Sequence, residues 1–255
     1  MRWRRRRTAG RLMADEVPPF VEWADFFARW RWHAGEHVTV IGPTGTGKTT
    51  VMRALLPKRY AAGGSVCVVG TKTRDATLNR WAHEDELTRI KSWPPTWPGW
   101  WWNRPAGDEW KQRVMLWPKL HTVEDIADMG PTVHRAMGEM FTAGHWTVVA
   151  DELWYWCAEM GLSHDLKTWW SQGRSAGLTV VGSTQRPTDI PLLAYSSATH
   201  LFFFNDNDEE DLKRISGLGG LPSAKIRGMV AALPFHDVLY VNTRLRLVLR
   251  TRVPV

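Results

Sequence analysis

The run Gly42, Pro43, Thr44, Gly45, Thr46, Gly47, Lys48, Thr49 constrains this chain more than any other stretch. It fits the pattern G-x-x-x-x-G-K-[ST], whose glycines let successive backbone N–H groups curl inward around phosphate oxygens. Lys48 is placed to reach the β- and γ-phosphates, and the Thr49 hydroxyl to hold Mg²⁺. Thr50 continues the loop into the next helix. The context agrees: His37 to Ile41 reads as a buried strand, and Thr49 to Leu56 as a helix whose N-terminus faces the phosphates. A glycine-rich turn alone would need neither flanking element. ATP and Mg²⁺ are the ligands expected here.

A length of 255 residues suits one large α/β domain, or one domain with small appendages, and 44% hydrophobic residues suffice for a sizeable core. Cys67 and Cys157 sit in apolar runs without metal-ligand spacing, so a reducing, cytoplasmic compartment is expected. No apolar run approaches the roughly 20 residues of a spanning helix. The arginines at 4–7 have no apolar stretch after them, so neither a secretory nor a twin-arginine signal is supported. The net charge is +7, but residues 1–14 hold six arginines and no acid, which leaves the other 241 residues at +1. Basicity therefore belongs to the arm, residues 1–17, and does not make the folded body a nucleic-acid binder. The arm reads as disordered, suited either to phosphate contact or to solubility alone.

Residues 18–255 are expected to form one ATPase domain. Phe20, Trp23, Phe27 and Trp30 recur at helical spacing, which predicts an amphipathic helix over 20–32. Ser65 to Val69 reads as a second buried strand, followed by a polar turn, Thr71 to Arg74, and a short helix over 75–90. Residues 92–110 break every periodicity with Trp and Pro, as an insertion that either packs on itself or touches a partner. Arg113 to Trp117 predicts a strand. Thr122 and Asp125 have capping-box spacing, opening a helix toward Phe141 with an interruption at Gly130–Pro131. Strands are expected at Trp146–Ala150, Leu178–Gly182 and Thr199–Phe204, with helices over 152–160 and 164–175. The five acids of Asp206 to Asp211 read as the solvated start of a helix. A β-hairpin is expected over 236–253, turning at Asn242–Thr243. Arg244, Arg246, Arg250 and Arg252 share parity there, so they are candidates for one face that is either solvated or in contact with DNA phosphates.

Buried strands alternating with helices, with a phosphate loop after the first, indicate a RecA-like P-loop NTPase: α/β, a mostly parallel central sheet, helices on both faces, and the C-terminal hairpin. Its second element must present an acid to Mg²⁺ at the end of another strand. Val148, Val149 and Ala150 lead into Asp151 and Glu152, with Asp151 expected in the Mg²⁺ shell and Glu152 polarising the attacking water. Paired acids argue for hydrolysis over transfer to a small acceptor, from which water must be excluded. Gln185, at the end of the next strand, can bond the γ-phosphate or the attacking water and change partner on hydrolysis.

Gly173, Arg174, Ser175, Ala176 and Gly177, then an apolar strand, then Ser183, Thr184, Gln185, Arg186 and Pro187 together resemble the FtsK–HerA ATPases. With the phosphate loop and Asp151–Glu152, the resemblance covers roughly residues 36–215. It implies a homo-oligomeric ring, a hexamer by family habit, that hydrolyses ATP between subunits and moves double-stranded DNA through its centre. It also implies that Arg174 is offered to a neighbour's nucleotide, with Lys48, Glu152 and Gln185 catalytic in the subunit's own site. Arg186 is either a second such arginine or an anchor of its loop. The compact chain suggests a viral genome-packaging or mobile-element motor, working in a host cytoplasm or with a virion and docking on a capsid vertex or transfer pore. The alternatives are a filamentous-phage assembly or secretion ATPase at a membrane, and a non-motor P-loop NTPase or kinase.

Overall fold

The computed structural model describes residues 17–72, 75–95, 112–118, 122–215 and 223–254. The basic arm up to residue 16 and most of the Trp/Pro-rich insertion lie outside the described residues. In chain order the elements begin with α1 (Trp23–Arg29), β1 (His37–Ile41), α2 (Lys48–Ala61), β2 (Ser65–Val69) and α3 (Ala76–Glu84). Next come β3 (Thr88–Ile90), β4 (Arg113–Leu116), α4 (Val123–Ala143), β5 (Trp146–Ala150), α5 (Leu153–Ala158) and α6 (Ser163–Gln172). The chain ends with β6 (Thr179–Thr184), α7 (Leu193–Ser196), β7 (Ala198–Phe204), α8 (Glu209–Ile215), α9 (Ser223–Ala231), β8 (Asp237–Asn242) and β9 (Leu247–Arg252).

These strands form one nine-stranded sheet in the order β3-β4-β2-β5-β6-β1-β7-β8-β9. Every pairing from β3 to β7 is parallel, and β8 and β9 join antiparallel. The hairpin is thus a continuation of the central sheet. Strands β1, β2, β5 and β6 are buried along their whole length, which is why they read as unbroken apolar runs. One face packs Val40, Val68 and Val149 under α1, α2 and α3; the other packs Cys67, Val148 and Val180 under α4 to α9. The outer edge of β9 is covered by the segment before α1, where the Arg250 N–H donates to Pro19 O and the Val21 N–H to Arg250 O, both at 2.8 Å. An open row of strand N–H and C=O groups is thereby closed off.

Four of the differences from the sequence expectations concern where elements begin, break or turn. The first helix is shorter than 20–32, because Trp30 leaves helical geometry and turns its indole inward to donate to Tyr240 Oη at 3.0 Å. The helix expected over 75–90 stops at Glu84: Glu86 adopts φ 53°, the chain reverses, and Thr88 to Ile90 join β4 as an edge strand. Helix α4 starts with the expected Thr122–Asp125 capping box but runs unbroken through Pro131. Its Gly130 sits against the Met160 carbonyl, where a Cβ would approach to 2.6 Å, so this glycine serves close packing and not a break. The hairpin turn spans residues 243–246, after Asn242.

The N-terminal ends of β1 and β7 are tied by a buried polar network around Glu36. Tyr240 Oη accepts from Trp30 and from Asn242 Nδ2 at 3.2 Å, so its own hydrogen goes to His200 Nδ1, 2.8 Å away. His200 Nε2 must then carry the proton it donates to Glu36 Oε2 at 3.2 Å. Glu36 also accepts from the His33 N–H at 2.9 Å and from Arg244 Nη1 at 3.1 Å. Burial pushes the Glu36 carboxyl up, but the bonds from His200 and the His33 backbone outweigh it and hold it at about 2.

Candidate active site

Strand β1 delivers the chain to the centre of the sheet's C-terminal edge, where the Gly42 N–H still reaches Thr184 O of β6 at 3.2 Å. Beyond it the loop doubles back: Thr46 Oγ1 donates to Pro43 O at 2.8 Å, while Gly45 (φ 80°) and Gly47 (φ 111°) hold left-handed conformations strained for any other residue. Helix α2 then starts at Lys48 with no side-chain cap and no acid in its first turn. The N–H groups of Lys48, Thr49 and Thr50 therefore keep their donors for an anion, with the helix dipole behind them. Lys48 Nζ donates to Gly42 O at 2.8 Å and Pro43 O at 2.9 Å, folding back over the loop. Burial pushes its ammonium down, against the pull of the Glu152 and Asp151 carboxylates.

Asp151 and Glu152 follow directly on β5, two strands from β1. The Ser183 hydroxyl of β6 donates to the Asp151 carbonyl, fixing the strand end. Thr49 Oγ1 donates to Asp151 Oδ1 at 3.3 Å, which brings the two expected Mg²⁺ residues together. An all-oxygen pair of this kind suits a hard cation. Among the described residues no cluster of three or more His, Cys, Asp or Glu could hold a metal, so a cation here would take few protein ligands. Mg²⁺ binds in that way, keeping its waters and nucleotide oxygens. Glu152 is linked to the phosphate loop through Gln185: Nε2 donates to Glu152 Oε2 at 3.2 Å, and Oε1 accepts from Thr44 Oγ1 at 2.8 Å. Burial raises the Glu152 carboxyl above its ordinary range, against hydrogen bonding from Gln185 and the charge of Lys48. Beside these groups lies a cavity of about 320 Å³, lined by Thr71, Lys72, Glu152, Trp154, Gln185 and Arg186 among others.

Arg174 lies elsewhere. It is exposed on a 3-10 turn, Gly173–Ala176, at the N-terminal end of β6, packed against Gly35. Six residues of β6 at about 3.3 Å each place it roughly 20 Å from the edge that carries the phosphate loop. Arg186 pairs with Asp211 at 3.6 Å and Asp208 at 3.7 Å. The acidic segment does open α8 with a solvated cap, exposed Asp208, whose Oδ1 accepts from the Glu210 and Asp211 N–H groups at 3.0 and 3.1 Å, but two of its acids turn inward. Asp206 and Asp211 are buried, and Asp211 Oδ1 accepts from the Thr188 N–H at 3.2 Å and hydroxyl at 2.8 Å, clamping the loop after Gln185 onto α8.

The four hairpin arginines do not share a face. Arg244 and Arg246 lie in the turn, Arg244 bound to Glu36 and Arg246 at φ 52°. Arg250 and Arg252 flank Asp237 at 3.7 and 2.6 Å. Parity fails because the strand begins only at Leu247 and has packed neighbours on both sides, Val248 on one and Leu249 on the other. Two site neighbours escaped the motif reading, Lys72 and Asp211. Lys72 lay in the polar turn after β2; Asp211 was visible only as one acid among five.

A family model described as ABC transporter matches residues 28–149, from α1 through β5, and stops just short of Asp151. No curated protein matches the sequence. Among solved structures, the genome packaging NTPase B204 from Sulfolobus turreted icosahedral virus 2, in complex with sulfate, superposes with a TM-score of 0.62 at 14% identity, over 88% of this chain and 99% of that one. Its complex with AMP gives 0.60 at 15% identity, over 86% and 98%. VirB4 of Thermoanaerobacter pseudethanolicus gives 0.63 at 11% identity, over 86% and 89%. At such identities the likeness is one of fold, and it agrees with the sheet order and the loop geometry. The chain has the P-loop NTPase fold.

Proposed function

We propose that this protein is a Mg²⁺-dependent ATPase that moves double-stranded DNA as a homo-oligomeric ring, packaging a viral genome or transferring mobile-element DNA. The observation that carries the hydrolytic half is the chain Thr44–Gln185–Glu152, which connects the phosphate loop to a half-buried acid through one amide. In this reading the α2 N-terminus, Lys48 and the loop N–H groups bind the triphosphate. Glu152 takes a proton from the attacking water as its oxygen bonds the γ-phosphorus and the bond to the β-phosphate oxygen breaks, leaving ADP and phosphate. Bound Mg²⁺, held by Thr49 and Asp151, would neutralise charge on the phosphates. Gln185 loses or gains its phosphate-side partner with turnover and passes that change to the loop clamped by Asp211.

The DNA half is supported by the Gly173–Gly177 and Ser183–Pro187 segments and by the fold shared with a protein described as a genome packaging NTPase. Arg174 is too far to serve its own loop, and in this reading it serves a neighbour's. A soluble motor in a host cytoplasm or at a virion fits this reading, with residues 18–255 as the motor and 1–17 as a basic arm.

The test is ATPase activity with and without double-stranded DNA and Mg²⁺, alongside the mass of the assembly. Stimulation by DNA in a ring-sized species is expected. Turnover indifferent to DNA in an assembled, ATP-competent preparation would overturn the translocase reading, and phosphate transfer to a small acceptor would replace it with a kinase.

A further inference from the structure

The turn after β2 carries a lysine that the motifs leave without a task. Lys72 Nζ lies 3.3 Å from Asp151 Oδ2 and 3.5 Å from Asp75 Oδ2. The other oxygen of Asp151 accepts from Thr49. The Asp151 carboxylate is therefore shared between a hydroxyl of the phosphate loop and an ammonium. The surroundings of Lys72 are held by hydrogen bonds. Its carbonyl accepts from Trp117 Nε1 at 2.8 Å, and Asp75 is held as the cap of α3, its Oδ1 accepting from the Thr77 and Leu78 N–H groups at 2.8 and 2.9 Å. The side chain itself is 57% exposed and borders the cavity beside Glu152 and Gln185.

We propose that Lys72 is a positioning residue that holds Asp151 beside Thr49 in the nucleotide-free subunit, in place of the divalent cation, and withdraws toward Asp75 and the cavity when the cation arrives. The inference rests on reading Thr49 and Asp151 as the Mg²⁺ residues. An ammonium and a divalent cation on one carboxylate repel, so Lys72 opposes the cation until a triphosphate adds its negative charge. The site then fills with cation and nucleotide together. Asp75 keeps the displaced ammonium paired, so the exchange strands no charge.

The probe is Mn²⁺, counted as free ion by electron paramagnetic resonance in the nucleotide-free full-length protein, a readout independent of turnover. Lys72→Met is expected to bind Mn²⁺ about 10-fold more tightly than the wild type, the effect of removing one nearby charge in partly screened surroundings. Lys72→Arg, which keeps the charge, is expected to stay near the wild type. Lys72→Met binding no more tightly than the wild type overturns the proposal, provided that adding Asp151→Ala to the wild type weakens Mn²⁺ binding and so confirms the cation site. Tight binding by Lys72→Met that survives the added Asp151→Ala change overturns the cation site itself, and the role of Lys72 with it.

Discussion

The Thr44 hydroxyl of the phosphate loop and Glu152 beyond β5 are joined by a single side chain, with Gln185 accepting from one at 2.8 Å and donating to the other at 3.2 Å. An amide is the group suited to this task, since it presents an acceptor and a donor from one rigid plane. Gln185→Ala should therefore lower kcat by about 100-fold or more while nucleotide affinity changes little, the signature of an interaction needed in the transition state. Nucleotide titration beside steady-state kinetics checks it; an equal loss of both would reduce Gln185 to a loop residue.

Glu152 is raised by burial, so its acid limb should lie above that of an ordinary glutamate near 4.5. As a base it works deprotonated, so kcat/KM, which reports the free enzyme, should fall as pH drops through that raised value, before the protein unfolds. A pH profile of kcat/KM, with circular dichroism at each pH, checks the sign. An acid limb at or below 4.5 would remove Glu152 as the base, and Glu152→Gln should bind nucleotide but turn over at least about 100-fold more slowly.

Arg174 and the phosphate loop occupy opposite edges of the sheet. If each nucleotide is completed by a neighbour, Arg174→Ala and Glu152→Gln should each be inactive alone. Mixed rings should recover part of the activity, because some interfaces pair an intact Glu152 with an intact Arg174. Absence of recovery in rings shown by mass spectrometry to be mixed would sink the shared site.

The buried Glu36 network makes a stability prediction with a definite sign. Its carboxyl is held at about 2, below its ordinary 4.5, so the folded state favours the carboxylate. The stabilisation is present above about 4.5 and is lost as pH falls through about 2, amounting to roughly 3 kcal/mol at neutral pH. Glu36→Gln should lower unfolding free energy by about 2–3 kcal/mol at pH 7 and by progressively less toward pH 2. Denaturant unfolding at several pH values checks this, and a pH-independent difference would contradict it.

The motifs were legible where a backbone conformation or a buried strand demanded a residue type. Gly45 and Gly47 need left-handed φ, and β1, β2, β5 and β6 show as apolar runs because both their faces are covered. Elements whose ends depend on a distant partner were less legible. Trp30 leaves α1 to reach Tyr240, 210 residues away, and Glu86 turns the chain so that β3 can find β4. Propensity within a window contains neither partner. The hairpin arginines misled for a related reason: parity identifies a face only once the strand limits are known, and these follow from pairing with β7 through β8.

By itself, the order of residues determined that a phosphate loop would sit between a buried strand and a helix, with two acids and a glutamine each ending another such strand. Those are local facts, set by side-chain volume, φ and period. Tertiary structure alone decided that β5 and β6 stand beside β1 in the order β5-β6-β1, so that Thr49 meets Asp151 and Gln185 bridges Thr44 to Glu152. It also brought Lys72 to Asp151, turned Asp211 inward to hold the Gln185 loop, and set Arg174 at the far edge. Parallel strand order is fixed by how crossover helices bury their faces on either side of the sheet, and no stretch of sequence contains that information alone.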